Sequence, residues 1–209
     1  MLYGMQYSAG VFLLILLALA SGCTSPSSGP ADGPITPAPT VLPTPENPVS
    51  TISLSEMALQ LSDMQPDYVL RDRSVMIAPE VTQISKDLGW LQGYFVTFDR
   101  TGRSRNDQTR VRQSISVFPV ENLKKVFTHE KIAIEGMETM MSSPYEIPFP
   151  SIGDRSIAYR LTDTPEPGQV TYTVLFTKKN IYEKITMAGT STDYETLKDL
   201  VQKAASKIQ

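Results

Sequence analysis

Hydrophobic residues change their spacing several times along this chain, and the C-terminal half is the easiest to read. In Val170–Phe176 the apolar residues Val170, Tyr172, Val174 and Phe176 alternate with Thr171, Thr173 and, just beyond, Thr177. A period of two sends successive side chains to opposite faces, so this segment is expected to be a strand with one side in a core. Ser156–Thr162, Val170–Lys178 and Ile181–Ala188 form a run of three such strands, with a tight hairpin at Lys178-Lys179-Asn180. Upstream, Leu91–Arg100 puts Tyr94, Val96 and Phe98 on one side. Thr109–Val117 puts Val111, Ile115 and Val117 inward and Arg110, Arg112, Ser114 and Ser116 outward. The polar, Gly-containing stretch 101–108 joins these two strands into a long antiparallel hairpin.

Other segments carry the helical period. The last one, from Thr192, has Leu197, Leu200, Val201, Ala204 and Ile208 on one stripe. A capping box of Thr192 and Glu195 is expected to start it. Asp193 and Glu195 lie at its positive end, and Lys198, Lys203 and Lys207 run toward its negative end. Pro79–Leu88 is a shorter helix, with Pro at its first position, Val81, Ile84 and Leu88 on one face, and Gly89 just past its end. Glu121–Met141 is helical in composition, with an imperfect stripe of Leu123, Phe127, Ile134 and Met141. Ile132 and Ile134 also fit a strand, and Pro144, Pro148 and Pro150 are expected to end the segment. The predicted class is α+β: an antiparallel sheet of about five or six strands with helices packed on it.

The first fifty residues follow neither period. Val11–Ala20 is an unbroken apolar run, and ten residues are about half of what a helix needs to span a bilayer. The length suits the core of a secretory signal, with small residues after it. Ala20-Ser21-Gly22-Cys23 resembles a lipobox, in which the Cys receives a lipid and becomes the first residue. Ala20 stands where Leu is usual, and the first ten residues lack a positive charge. An uncleaved signal anchor and a buried helix with an incidental thiol are the competing readings. Residues 24–50 hold 8 Pro and 8 Ser/Thr in 27 positions. Such density favours extended polyproline II, with a reach of roughly 80 Å. The expected plan is a signal peptide over 1–22, a lipidated Cys23 with a Pro/Ser/Thr-rich linker over 23–50, and one α+β domain over 51–209.

Charge follows the same division. No Lys or Arg precedes Arg71, while residues 71–209 carry all 19 basic side chains against 17 of the 22 acids. The net charge of −3 over 209 residues argues against a nucleic-acid binder. One Cys excludes an intrachain disulfide and a cysteine-based zinc site, and one His excludes a histidine-rich metal site.

Few residues suggest chemistry. His129 lies in Thr128-His129-Glu130-Lys131 on the polar side of a predicted helix, and no GxSxG pattern accompanies it. There is no Walker A loop, GxGxxG, EF-hand loop or HExxH. Met137, Met140 and Met141 have a spacing open to soft-metal binding, but it equally suits a helix core stripe. Arg100, Arg103, Arg105, Arg110 and Arg112 make the tip of the first hairpin basic, with only Asp99 and Asp107 opposing them. They suit contact with anionic headgroups or a cell-surface polyanion, or the blunting of an exposed strand edge. Trp90, Tyr94, Tyr145 and Phe149 are candidates to line an apolar cleft or to close one end of a core.

Gly89-Trp90, then Gly93-Tyr94 at a strand start, then Ile152-Gly153-Asp154-Arg155-Ser156-Ile157-Ala158-Tyr159-Arg160 ahead of a strand hairpin and an amphipathic C-terminal helix, resemble uncharacterised archaeal surface lipoproteins of methanogens. More loosely, this arrangement is similar to the PsbP-like α/β sandwich of LpqN-type bacterial lipoproteins. The resemblance spans roughly residues 55–209 and implies a binding or accessory module, with no catalytic residues to carry over. The expectation is a non-catalytic, membrane-anchored extracytoplasmic module without a cofactor. Its partners would be the membrane, through a lipid on Cys23, and a cell-surface protein or anionic headgroups. The alternative is an extracytoplasmic solute- or lipid-binding protein with an apolar pocket. A hydrolase whose carboxylates meet only in the fold comes third.

Overall fold

Alternation carried over nine- and ten-residue stretches builds one antiparallel sheet. The computed structural model describes residues 53–101, 108–136, 143–162 and 168–209, all within the unit Pro45–Gln209. Its strands are β1 (Tyr68–Met76), β2 (Gln92–Thr101), β3 (Gln108–Val117), β4 (Ser143–Ile147), β5 (Arg155–Thr162), β6 (Val170–Lys178) and β7 (Ile181–Gly189). They lie in the order β1-β2-β3-β7-β6-β5-β4, and every neighbouring pair is antiparallel. The helices are α1 (Leu54–Met57), α2 (Gln83–Asp87), α3 (Leu123–Glu135) and α4 (Tyr194–Lys207), with short 3-10 turns between some elements.

The α+β class is as expected, with seven strands instead of five or six. Both added strands are edges. β1 lacks alternation because Arg71, Asp72 and Arg73 occupy its middle and a bulge between Leu70 and Asp72 shifts its register. β4 contains Pro144, which was expected to act only as a breaker. On an edge strand, a residue without an N–H is tolerated.

One face of the sheet is packed along its length. Leu197, Leu200, Val201 and Ala204 of α4 pack onto Phe98, Val111, Ile115, Phe176, Ile185 and Met187. Met57, Ala58, Leu59 and Met64, in the segment before β1, join the same core. Complete burial of one large aliphatic side chain contributes about 1.5–3 kcal/mol. The second face has a smaller cluster: Leu123, Val126 and Ile134 of α3 cover Ile157, Tyr159, Leu175 and Tyr182. The β5–β7 half of this face is therefore covered.

Three local expectations shift. The α4 cap is Asp193, not Thr192: the Asp193 carboxylate accepts from the backbone N–H of Thr196 at 2.9 Å and of Glu195 at 3.4 Å. A carboxylate is a stronger acceptor for these open amides than a hydroxyl, so the helix starts one residue later. The Pro79–Leu88 helix divides into a 3-10 turn, Ala78–Glu80, and α2, with Ile84 exposed. In α3 the buried stripe is Leu123, Val126 and Ile134; Phe127 is half-buried and Met141 lies outside the described residues.

The Ile-Gly-Asp segment proves architectural. Gly153 has a φ of +64°, and a Cβ there would lie 2.2 Å from the Thr177 carbonyl oxygen. The N–H of Asp154 donates to that carbonyl at 2.7 Å. Its carboxylate accepts from the N–H of Lys179 at 2.8 Å, inside the two-residue β6–β7 turn. These contacts pin the entrance of β5 to the β6–β7 hairpin.

Candidate functional site

The β1–β3 half of the second face has no helix over it among the described residues. Phe95 and Asp99 of β2 and Arg110, Arg112 and Ser114 of β3 point there, with Thr97 of β2 buried among them. Lys184 and Thr186 of β7 continue the surface through the pairs Ser114–Lys184 and Arg112–Thr186. The result is a flat field of hydroxyls and cations on a rigid support.

Its charge is organised around one carboxylate. Asp99 accepts from Arg110 Nε at 2.8 Å and Nη2 at 3.3 Å, and from Arg71 Nη1 at 2.8 Å. The hydrogen bonds from Arg110, and after them those from Arg71, hold its carboxyl below the usual range against the opposing effect of partial burial. Two guanidiniums on one carboxylate leave an excess positive charge. Arg112 lies 4.9 Å from the centroid of the Phe95 ring, and this stacking holds a third guanidinium flat on the sheet. Lys184 is matched by Glu130 of α3 at 3.1 Å. Asp72 of β1, exposed and in register with Thr97 and Arg112, adds a second carboxylate, so the face is only mildly cationic.

The five arginines of the first hairpin do not all share this face. Arg100 points to the opposite side, where Nη2 donates to the Ser191 carbonyl at 2.6 Å and the guanidinium sits 5.5 Å from the Tyr68 ring centroid. It ties the end of β2 to the segment before α4. Arg103 and Arg105 lie outside the described residues, as do Ala20, Ser21, Gly22 and Cys23, and Met137, Met140 and Met141. His129 is half-buried on α3. Arg71 and Phe95 complete the face but were not singled out from the sequence. Only the pairing of Asp99 with Arg110, in a hairpin whose register was not fixed in advance, would have suggested Asp99 as its hub.

The four aromatic residues considered for a cleft separate. Tyr94 is in the core under α4, whereas Trp90 packs on the α3 side. Tyr145 and Phe149 lie near the β4 edge with Arg160 and Tyr194; Arg160 Nη1 donates to the Tyr145 hydroxyl at 2.5 Å. A groove of about 490 Å³ runs there between Glu146–Phe149 and Ser156–Ala158. One of about 300 Å³ lies between Met64–Tyr68 and the first turns of α4, with Asp193 and Asp199 on its wall. A recess of about 100 Å³ is the one that reaches Val96 and Phe98 from the side of Leu59 and Leu70. It is smaller than the 300–1,000 Å³ typical of small-molecule sites. Among the described residues no three of His, Cys, Asp and Glu are grouped so as to hold a metal ion, and no helix is long and apolar enough to cross a membrane.

A second polar feature lies in the core. Glu183 of β7 is fully buried on the α4 side; its Oε2 accepts from Gln113 Nε2 at 2.8 Å and its Oε1 has no hydrogen-bond partner. Burial pushes its pKa up to about 8, against smaller opposing effects of Gln113 and Lys207. The sequence carried a signal: Glu183 is the acid in the inward row Ile181, Glu183, Ile185, Met187.

Fold and surface together define a helix-backed antiparallel sheet domain with one half-face open and polar. One solved structure shares the fold. The chain is similar to the extracellular domain of PknH from Mycobacterium tuberculosis, with a TM-score of 0.54 and 8% identity over 73% of this chain and 93% of that one. It is also similar to a putative uncharacterized protein from Mycobacterium smegmatis (Rv0999 ortholog), with a TM-score of 0.43 and 11% identity over 75% of this chain and 96% of that one. At such identity the first likeness is one of fold. No family model and no curated protein matches the chain.

Proposed function

We propose that this chain is a non-catalytic binding module, held at the extracytoplasmic face of a membrane by a lipid on Cys23, with the open β1–β3 half-face as its contact surface. The observation that carries the reading is the Arg71–Asp99–Arg110 group beside Arg112 on Phe95: preorganised cations on a sheet face that its own helices leave open. The fold shared with an extracellular domain supports an extracytoplasmic location, as do the apolar run before Cys23 and the proline-rich stretch after it. The recess that reaches the core is only about 100 Å³, so the apolar-pocket alternative would have to use the surface groove beside β4.

The partner class that fits is anionic. The test uses the Cys23→Ser chain, so that lipid insertion contributes nothing, with vesicles of anionic or purely zwitterionic lipid. Binding confined to the anionic vesicles and weakening with salt is expected. Each arginine removed, in Arg110→Ala or Arg112→Ala, should cost about five-fold, near 1 kcal/mol per charge. Equal binding to both vesicle types, or none to either, would remove the headgroup assignment and turn the search to a cell-surface protein.

A further inference from the structure

Residues 53–64 lie ahead of the sheet and cross its packed face as a strap. Met57, Ala58 and Leu59 are each 1% exposed, yet the segment contributes no strand, only the four-residue α1 and a 3-10 turn at Leu61–Asp63. Its polar fastenings are few. The N–H of Leu59 donates to Gln113 Oε1 at 2.7 Å, in a buried bond. Gln113 donates in turn to Glu183 at 2.8 Å, so strap, amide and carboxyl form one line into the core. From α4, Lys207 Nζ donates to the Ala58 carbonyl at 3.1 Å and to Asp63 Oδ2 at 2.5 Å, while Lys203 Nζ donates to the Asp63 carbonyl at 3.1 Å.

We propose that this strap is a proton-controlled latch: it stays docked while Glu183 is protonated, and it lifts more readily once that carboxyl can ionise, with Lys207 then leaving the strap for the carboxylate.

The physical basis is a competition for one cation. Glu183 Oε1 has no hydrogen-bond partner, so while the strap is closed a negative charge there is only partly offset by Gln113 and Lys207. The charged group that acts on it is Lys207 on α4; Lys203 of the same helix and Asp63 of the strap are engaged with each other, and Asp63 also with Lys207. Lys178 of β6 is engaged with the Ala205 carbonyl at 2.8 Å, and the strands beside Glu183 offer Gln113 and apolar side chains. Lys207 is the cation that acts on Glu183, and its hydrogen-bond partners, Ala58 and Asp63, both belong to the strap. Lifting Leu59 off Gln113 admits water to the carboxyl and frees Lys207. The open form then ionises near the ordinary carboxylate range, while the closed form keeps its proton to about pH 8. Opening therefore becomes easier by about ten-fold per pH unit between roughly pH 5 and 8 and levels off above that. The latch does not depend on Cys23 carrying a lipid. If it does, release of twelve residues lengthens the tether by up to about 40 Å.

Hydrogen exchange on the full chain tests this. Protection factors remove the intrinsic pH dependence of exchange, and the amide of Leu59 reports the strap. Its protection should fall on the order of 100-fold between about pH 5 and 7 in the unaltered chain and stay level in Glu183→Gln. The Ile185 amide, in β7 itself, should remain better protected throughout. Lys207→Gln should lower Leu59 protection at every pH. A level profile in the unaltered chain, a slope that persists in Glu183→Gln, or exchange of Leu59 and Ile185 in step would each overturn the latch. Should Glu183→Gln fail to fold, the Cδ shift of Glu183 in the unaltered chain decides: a midpoint near the ordinary carboxylate value overturns the proposal, and one near pH 8 supports it.

Discussion

Phe95 and Phe98 lie three residues apart on β2 and meet opposite fates. Phe98 points under α4 and is 1% exposed; Phe95 points to the open half-face and lies beneath Arg112. One strand thus serves two purposes, and the difference follows from what covers each face. The α4 side removes apolar area from water and holds the fold. The open side leaves hydroxyls and guanidiniums where a partner can reach them, at little expense to stability.

Truncating both rings separates the contributions of the two faces. Phe98→Ala should destabilise by about 3–5 kcal/mol through lost burial and a residual cavity. Phe95→Ala should cost under about 1.5 kcal/mol, since little of its environment is core. Urea denaturation of the two variants measures this, and equal losses would mean that the open half-face is as structural as the packed one.

The second effect runs in the other direction. Glu183 has its folded pKa raised to about 8 from 4.5. Below the lower value both states are protonated and the carboxyl carries no penalty. As pH rises toward 8 the unfolded chain ionises and the folded one does not, so stability falls, and above 8 the loss is complete. Glu183→Gln should therefore be roughly 2–4 kcal/mol more stable than the unaltered chain at pH 8, and close to it at pH 4. Thermal unfolding across this range reads the difference, and parallel curves for the two proteins would refute the burial argument.

Smaller again is the α4 cap. Asp193→Ala should cost about 1 kcal/mol, because the open amides of Glu195 and Thr196 lose their acceptor. The same substitution at Thr192 should be milder, and chemical denaturation ranks the two. Least of all, Arg112→Ala should change stability by no more than about 0.5 kcal/mol while weakening binding to anionic vesicles. A large loss of stability there would make the stacked guanidinium a structural element.

What the sequence reveals follows the same contrast. β2, β3, β5, β6, β7 and α4 were legible because one side of each meets a core, and burial on one side writes a period of two or near 3.6 into the residues. β1 was not, because an edge strand with a bulge and three consecutive charged residues has no buried side to enforce alternation. β4 was hidden by Pro144, whose meaning depends on whether a neighbouring strand needs its N–H. The candidate surface was half legible. Arg110 and Arg112 stood out on the outward row of β3, but their link to Arg71 depends on β1 pairing with β2, and Arg100 turns to the other face. Glu183 was visible as an acid among inward apolar residues. Its tie to the strap was not, because Leu59, Gln113 and Glu183 are brought together only by the fold.

The proposed function stands or falls on lipid attachment at Cys23, which would display the open half-face outside the membrane. Intact-mass analysis of the chain from the membrane fraction of its native host tests that most directly. A species that begins at Cys23 and carries added lipid mass is expected. A chain that retains residues 1–22 with an unmodified thiol would contradict it.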